Sequence, residues 1–394
     1  MANTLNLGNG NWATKEDSLL AYNSENGNFK PLPFDFTRAS SATVVNKAGL
    51  IETVGSGEPR IDYKDDAKGA LLLEPQRSNL LSYSEPTSSE TSAGGITYEL
   101  FNWNLGFTNC IKFGDNSQTR YRYFTGTIAN STQYTISAFV IMDDLSEPVL
   151  GTAINNGDLI FRVGGIPATT GNLPNVNMGN NIYRLSSVIT SASGGGTTGL
   201  LKYSGQSNKG FRIVGFQVEQ GSYATSYIPT QGSVVTRVAD VCNNGANEQV
   251  INSTEGVLYA EISALSDDVS KRFIILNDNS GGNRVEISYW STSNTIQTWV
   301  QSSNSLQYYH RQVVSNIKDT NKVAINYKNN DFSTYINGVK VDYQLSGNAP
   351  LINTLNKVEF RNGAGADNFY GNTKDLRVYN TALTDQELQA LTTL

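Results

Sequence analysis

The sequence predicts an all-β chain: two antiparallel jelly-roll β-sandwiches behind an irregular N-terminal segment, closed by one short C-terminal helix. Three observations carry this. Charged residues make up 16% of the 394, while glycine (36 residues) and tyrosine (20) are abundant and asparagine alone outnumbers lysine and arginine combined; ordinary globular chains carry roughly 25% charge. Short runs rich in Tyr, Phe, Ile, Val and Thr recur between clusters of Asn, Gly, Ser and Pro, the mark of strands joined by turns. Helical periodicity is nearly absent.

Residues 1–85 read as an irregular attachment segment without a core of its own. Within it, Thr14 to Asp17 ahead of Leu19 and Leu20 has the shape of a capping box with Asp in place of Glu and predicts a short helix. Residues 86–245 form the first jelly-roll sandwich, from the runs Arg120–Ile128, Gln133–Ile141, Leu159–Val163, Ile182–Ile189 and Gly210–Glu219. Asn243–Ser253 is a polar junction, and residues 250–394 form the second sandwich. There Asn337-Gly338 lies between two alternating runs and predicts a two-residue hairpin. It would set Ile336 opposite Val339, Thr334 opposite Val341 and Phe332 opposite Tyr343, all six on one buried face. Thr384-Asp-Gln-Glu387 followed by Leu388 and Leu391 is a capping box and predicts the terminal helix.

Composition narrows the partners. With 29 Lys+Arg against 35 Asp+Glu the net charge is −6, which argues against nucleic-acid binding. No apolar stretch approaches the roughly 20 residues a membrane helix needs, and the N-terminus lacks a basic region followed by an apolar one. The expectation is a protein that stays where it is made or leaves within a larger particle. Cys110 and Cys242 stand far apart in no metal-like spacing and are expected as free thiols.

No catalytic set emerges. His310, the single histidine, has no nucleophile elbow to serve. Glu261, Glu286 and Glu359 lack adjacent acids in strand register, so a paired-carboxylate glycosidase is not expected. Asp62, Asp65 and Asp66 beside Lys64 and Lys68 read as a solvated loop. Asn277-Asp278-Asn279 and Asp367-Asn368 offer oxygen donors without the spacing of a calcium loop; turn formation by Asx side chains explains them. No metal and no cofactor are expected.

Glycan binding fits better. A sugar stacks its C–H face on an aromatic ring and gives its hydroxyls to amides. Alternation in Arg284–Gln301 turns Val285, Ile287, Tyr289, Ile296, Thr298 and Val300 inward. It turns Glu286, Ser288, Trp290, Gln297, Trp299 and Gln301 outward. If Ser291 to Thr295 form the turn, Trp290 and Trp299 share one outward face. The candidate site is therefore Trp290 and Trp299, with Gln297 and Gln301 as amide partners and Tyr308, Tyr309 and His310 as a rim. The competing reading is that this face is covered by another domain or subunit.

Two segments carry a resemblance. Phe36 to Thr43 continues to Gly49–Glu52, Pro59–Tyr63 and Leu71–Leu80, and a companion follows as Gln217–Thr230 and Thr236–Asp240. In that order they closely resemble blocks of bacteriophage tail and other virion proteins that bracket a jelly-roll module like those of carbohydrate-binding modules, which the resemblance implies for residues 86–245, and the N-terminal phrasing looks most like proteins of crAss-like phages. Residues 250–394 are similar to the laminin G-like, concanavalin A-like lectin/glucanase superfamily, through Gly256–Glu261, the Asn337-Gly338 hairpin, Phe369–Gly371 and Asp375–Asn380 leading into Leu383 and Thr384. The resemblance implies a virion protein made in the host cytoplasm, a fibre or appendage with other virion proteins and host-surface glycans as partners, assembled as three subunits around an axis. Within the bracketing blocks, Arg60 with Asp62, Glu74 with Arg77, and Arg237 with Asp240 set charges among apolar residues, which suggests buried Arg–carboxylate pairs with a structural role.

Overall fold

The structure, a computed structural model, describes residues 4–15, 18–24, 27, 33–88, 96–115, 117–124 and 126–394. Nearly all of the regular structure is antiparallel β, with one short helix, Asp385–Thr392. The chain makes two compact units. Unit 1 comprises residues 1–39, 55–75 and 239–394, and unit 2 comprises residues 40–54 and 76–238.

Unit 1 is a sandwich of two sheets. In one, the strands Val339–Gln344, Asp331–Ile336, Asn321–Lys328, Glu255–Ala264, Gly371–Tyr379, Ala70–Leu73 and Ile61–Asp62 follow in that order, and Leu5–Gly8 also pairs with Gly371–Tyr379. The facing sheet runs Ser305–Val313, Thr295–Ser302, Arg284–Tyr289, Arg272–Asn277, Lys357–Glu359. Glu255–Ala264 is central and covered on both sides, which is why it reads as a nearly continuous apolar run rather than an alternating one. Its Leu258, Ala260 and Ile262 enter the core between the sheets, while Val257 and Tyr259 pack with Leu388 of the terminal helix. That helix carries the expected capping box, Thr384 with Glu387.

The N-terminal residues belong to this sandwich. Leu5 pairs with Val378 and Gly8 with Asp375, and Leu5, Leu7, Leu19, Phe34 and Phe36 are core residues of unit 1. Gly8 has φ +102°, and a Cβ there would lie 2.4 Å from the Lys374 carbonyl oxygen, so only glycine fits. The stretch 1–85, expected as one irregular attachment segment, is divided between the units, and residues 5–8 and 70–73 complete a sheet. Nor is there a helix at Thr14. Ala13–Lys15 and Ser18–Leu20 pair as strands, Leu19 sits opposite Phe34, and Glu16 and Asp17 lie outside the described residues. Cross-strand pairing that buries Leu19 outweighs a local capping preference.

The Asn337-Gly338 turn forms as expected, with φ of 50° and 82°, and Ile336 faces Val339. The register then slips at a bulge between Thr334 and Tyr335, so that Thr334 faces Asp342 and Phe332 faces Gln344. The extra residue reverses the alternation of the edge strand. Phe332, Thr334 and Ile336 remain buried while Val339 and Tyr343 are exposed.

In unit 2, a sheet of Ile96–Leu100, Asn109–Phe113, Phe211–Gln220, Gln133–Met142, Tyr183–Thr190 and Val176–Asn177 faces one of Arg120–Phe124, Thr198–Lys202, Ile160–Val163 and Ile166–Pro167. Ile136, Phe161, Leu185, Leu200, Phe211 and Ile213 lie in the core between them. Trp103, Leu105 and Phe107 form a second apolar layer with Phe139 and Val214. Cys110 and Cys242 are buried free thiols, and burial pushes the Cys110 thiol up to about 12.

The ion pairs differ from those read off sequence neighbours. Arg60 binds Glu74 at 2.6 Å and also Asp240. Asp240 takes Arg38 at 3.0 Å and accepts the Glu74 amide at 2.8 Å. This network in unit 1 is shut off from water, with Arg38, Arg60, Glu74 and Asp240 all at most 2% exposed. Asp62 instead accepts the Lys64 amide at 2.9 Å in a turn. In unit 2, Arg77 lies 4.0 Å from Glu219 and stacks on Tyr223, and Arg237 donates to Thr225 and Ser226. Charges two or three apart in sequence share a loop, whereas the partners that desolvate together come from segments far apart in the chain.

Candidate functional site

The outward face of the five-stranded sheet of unit 1 holds the candidate residues. Val285, Ile287, Tyr289, Ile296 and Val300 enter the core, as the alternation requires. Trp290 N–H donates to the Thr295 carbonyl at 3.0 Å, closing the turn. Glu286 sits opposite Trp299, and Ser288 opposite Gln297; Trp299 in turn faces Tyr309, and Gln297 faces Arg311.

Aromatic rings and cations alternate across this face. Lys271 Nζ lies 4.1 Å and Arg311 Cζ 4.0 Å from the Trp290 ring centroid. Arg311 is also 5.8 Å from the Tyr309 ring, Tyr309 is 5.8 Å from Trp299, and Arg284 Cζ is 5.2 Å from Trp299. Trp299 Nε1 donates to Gln301 Oε1 at 3.2 Å. Trp290, Trp299 and Gln301 are half-buried and Tyr309 is 51% exposed.

Beneath the ladder lies Glu286, 1% exposed. It accepts from Ser288 Oγ at 2.8 Å and Gln297 Nε2 at 2.7 Å and pairs with Arg284 at 3.2 Å. Gln297 is therefore buried and committed, not an open amide for a ligand; its Oε1 accepts from Arg311 Nε at 2.8 Å. Burial pushes the Glu286 carboxyl up, against the opposing pull of Arg284. A raised native pKa favours folding below the unfolded carboxyl value, and that contribution fades as pH rises through the native one. Glu286→Gln is accordingly expected to gain stability relative to the parent as pH rises from about 4.3 towards neutrality. Paired denaturant melts across that range read the difference, and a gap that stays constant or narrows would refute it.

Two of the three rim residues lie elsewhere. Tyr308 is 1% exposed, stacks on Phe332 and donates to Thr334 at 2.8 Å inside the sandwich. His310, two residues on and on the same side of its strand, lies 3.7 Å from Asp342 of the other sheet. Strand alternation puts only Tyr309 of the three on the tryptophan face. The same rule exposes what the composition reading passed over, since Arg311 follows Tyr309 by two and Arg284 precedes Glu286 by two.

A second cluster lies on the other sheet of unit 1. Glu261 sits directly opposite Asp375 across the strand pair, with a bulge just beyond, so one of the three glutamates does have an acid in register. The two line a cleft of about 400 Å³ with Tyr259, Lys322 and Arg377. Burial pushes the Asp375 carboxyl up, yet Arg377 grips both its oxygens, at 3.1 and 2.6 Å. Glu359 is tied to Asn277 and Arg361. The Asx clusters make turns: Asp278 accepts from the Ser280 amide at 2.9 Å and Asn277 from the Asn279 amide at 3.1 Å. No group of three or more His, Cys, Asp or Glu among the described residues is placed to hold a metal ion.

Two antiparallel sheets packed face to face, one with an aromatic outward face, make unit 1 a β-sandwich. Residues 246–389 match the family described as the concanavalin A-like lectin/glucanases superfamily. Among solved structures, the chain is similar to the CBM40 of the Ruminococcus gnavus IT-sialidase bound to α2,3-sialyllactose, at 14% identity and TM-score 0.32 over 38% of this chain and 93% of that one. It is also similar to domain 4 of the Geobacillus stearothermophilus arabinanase AbnA in complex with arabinotriose, at 13% and 0.32 over 44% and 83%. A third is the LG4–5 pair of the mouse laminin α1 chain, at 7% and 0.25 over 77% and 95%. No curated protein sequence matches the chain.

Proposed function

We propose that the chain is a glycan-binding adhesion protein of a bacteriophage virion, a fibre or appendage of tail or head that holds host-surface glycans without cutting them. The observation that carries the binding is the outward face of Trp290, Trp299 and Tyr309, a stacking surface on a sandwich of the lectin/glucanase type. The virion assignment is supported by the two sequence blocks at 36–80 and 217–240, and it brings with it other virion proteins as partners and a three-subunit assembly. Single-site glycan affinity is weak because stacking and a few hydrogen bonds are offset by desolvating hydroxyls, so adhesion needs many copies on one particle.

Replacing both Trp290 and Trp299 by Ala is expected to lower host adsorption and glycan-array binding of the particle-bound protein at least tenfold. The fold should be retained, because both rings lie outside the core between the sheets. Adsorption unaffected by the double substitution would overturn the site. A stable monomer by light scattering at micromolar concentration would remove the assembly.

A hydrolase reading is favoured by one observation, the Glu261–Asp375 pair in its cleft. It requires reducing-end release from a polysaccharide that Glu261→Gln abolishes. The grip of Arg377 on Asp375 speaks against a proton-donating role for that acid.

A further inference from the structure

The cations on the tryptophan face differ in what they are committed to. Arg284 pairs with Glu286, and Arg361 with Glu359. Arg311 and Lys271 have no carboxylate partner among the described residues, although they flank the same indole in a chain of net charge −6. Two positive groups, each about 4 Å from one ring centroid, repel each other, and the ring quadrupole offsets this only in part.

Arg311 is also held in place. Its Nε donates to Gln297 Oε1 at 2.8 Å, Gln297 is 2% exposed and is itself anchored on Glu286, and the guanidinium carbon lies 4.0 Å from the Trp290 ring centroid. Only Nε is used. The two terminal nitrogens form an oriented fork on an exposed residue, with its rotamer entropy already spent. Such a fork matches a carboxylate or sulfate bidentately and matches a single hydroxyl poorly.

We infer that the glycan held on this face is anionic, its carboxylate or sulfate group docked on the terminal nitrogens of Arg311 beside Trp290, with Lys271 adding to the positive field. This rests on the glycan-binding reading and names the class of sugar it takes. The neutral part of the residue stacks towards Tyr309 and Trp299, while the anion supplies the orientation.

The test uses the full chain on immobilised glycan pairs: oligosaccharides bearing carboxylated sugars against their carboxyl-reduced counterparts, and sulfated oligosaccharides against their desulfated ones. At least tenfold stronger binding to the charged member of one pair is expected, weakening between about 50 and 200 mM salt as an exposed ion pair should. Preference within the first pair identifies a carboxylate, and within the second a sulfate. Arg311→Gln is expected to erase the preference while its thermal melt matches the parent, and Arg311→Lys to recover only part, since it restores charge without the fork. Equal binding to charged and neutral members, or a preference that survives Arg311→Gln, would overturn the anionic assignment while leaving a glycan-binding face. Binding to no member of either pair, with Trp290→Ala/Trp299→Ala indistinguishable from the parent, would overturn both.

Discussion

A chain shortened to begin at Ser40 is expected to lose the cooperative unfolding of unit 1. Leu5, Leu7, Leu19, Phe34 and Phe36 are each fully buried in its core. Removing such a side chain forfeits roughly 1.5–3 kcal/mol of burial, so the five together approach the ~5–15 kcal/mol that holds a whole domain folded. The deletion also strips Leu5–Gly8 from the strand Gly371–Tyr379 and takes Arg38 from Asp240. Loss of the near-ultraviolet circular dichroism signal and of a sigmoidal denaturant transition for unit 1 is the expected result. An unchanged transition would show that this stretch contributes nothing to the core of unit 1.

Asp240→Asn is expected to cost unit 1 about 3–5 kcal/mol, the penalty of leaving a buried charge uncompensated. Asp240 answers both Arg38 and Arg60 and accepts the Glu74 amide. Without its charge the single carboxylate of Glu74 faces two guanidiniums in a dry site, and the Arg60 cation, held charged by these acids against the cost of burial, has lost one of them. Asp65→Asn is the matched control. The Lys64–Asp65 pair is 31% and 66% exposed, and exposed pairs contribute at most ~1 kcal/mol. Denaturant midpoints of the two variants at pH 7 compare them directly, and equal shifts would show the buried network to be energetically idle.

Turns, caps and alternation were legible because they are local. The Asn337-Gly338 turn and the Thr384–Glu387 capping box need only the residues they contain, and the inward set from Val285 to Val300 follows from a period of two. The bulge beyond Thr334 was not legible, since one extra residue in an edge strand leaves no compositional trace yet turns Tyr343 to solvent. The site was legible by half for a related reason. Aromatic rings are conspicuous in a chain of few tryptophans, whereas Arg311 and Arg284 gain meaning only from the strands that bring them over those rings. Tyr308 and His310 were grouped with Tyr309 by adjacency, which in a strand separates faces instead of joining them.

By itself the sequence determined the all-β class, the short capped helix, the buried strands and the outward pair of tryptophans, because each depends on side-chain period or on contacts within a few residues. Only the tertiary structure decided that residues 5–8 and 70–73 complete the sheet of unit 1, that Arg60 answers Glu74 and Asp240, that Glu261 meets Asp375, and that Gln297 is buried beneath a ladder of cations and rings. Each of these joins segments of the chain that meet only across a strand pair or a packed face. Which of several possible partners a strand edge or a buried charge takes is settled by burying the most apolar surface while leaving the fewest charges unpaired, a balance struck over the whole unit and written in no single stretch of it.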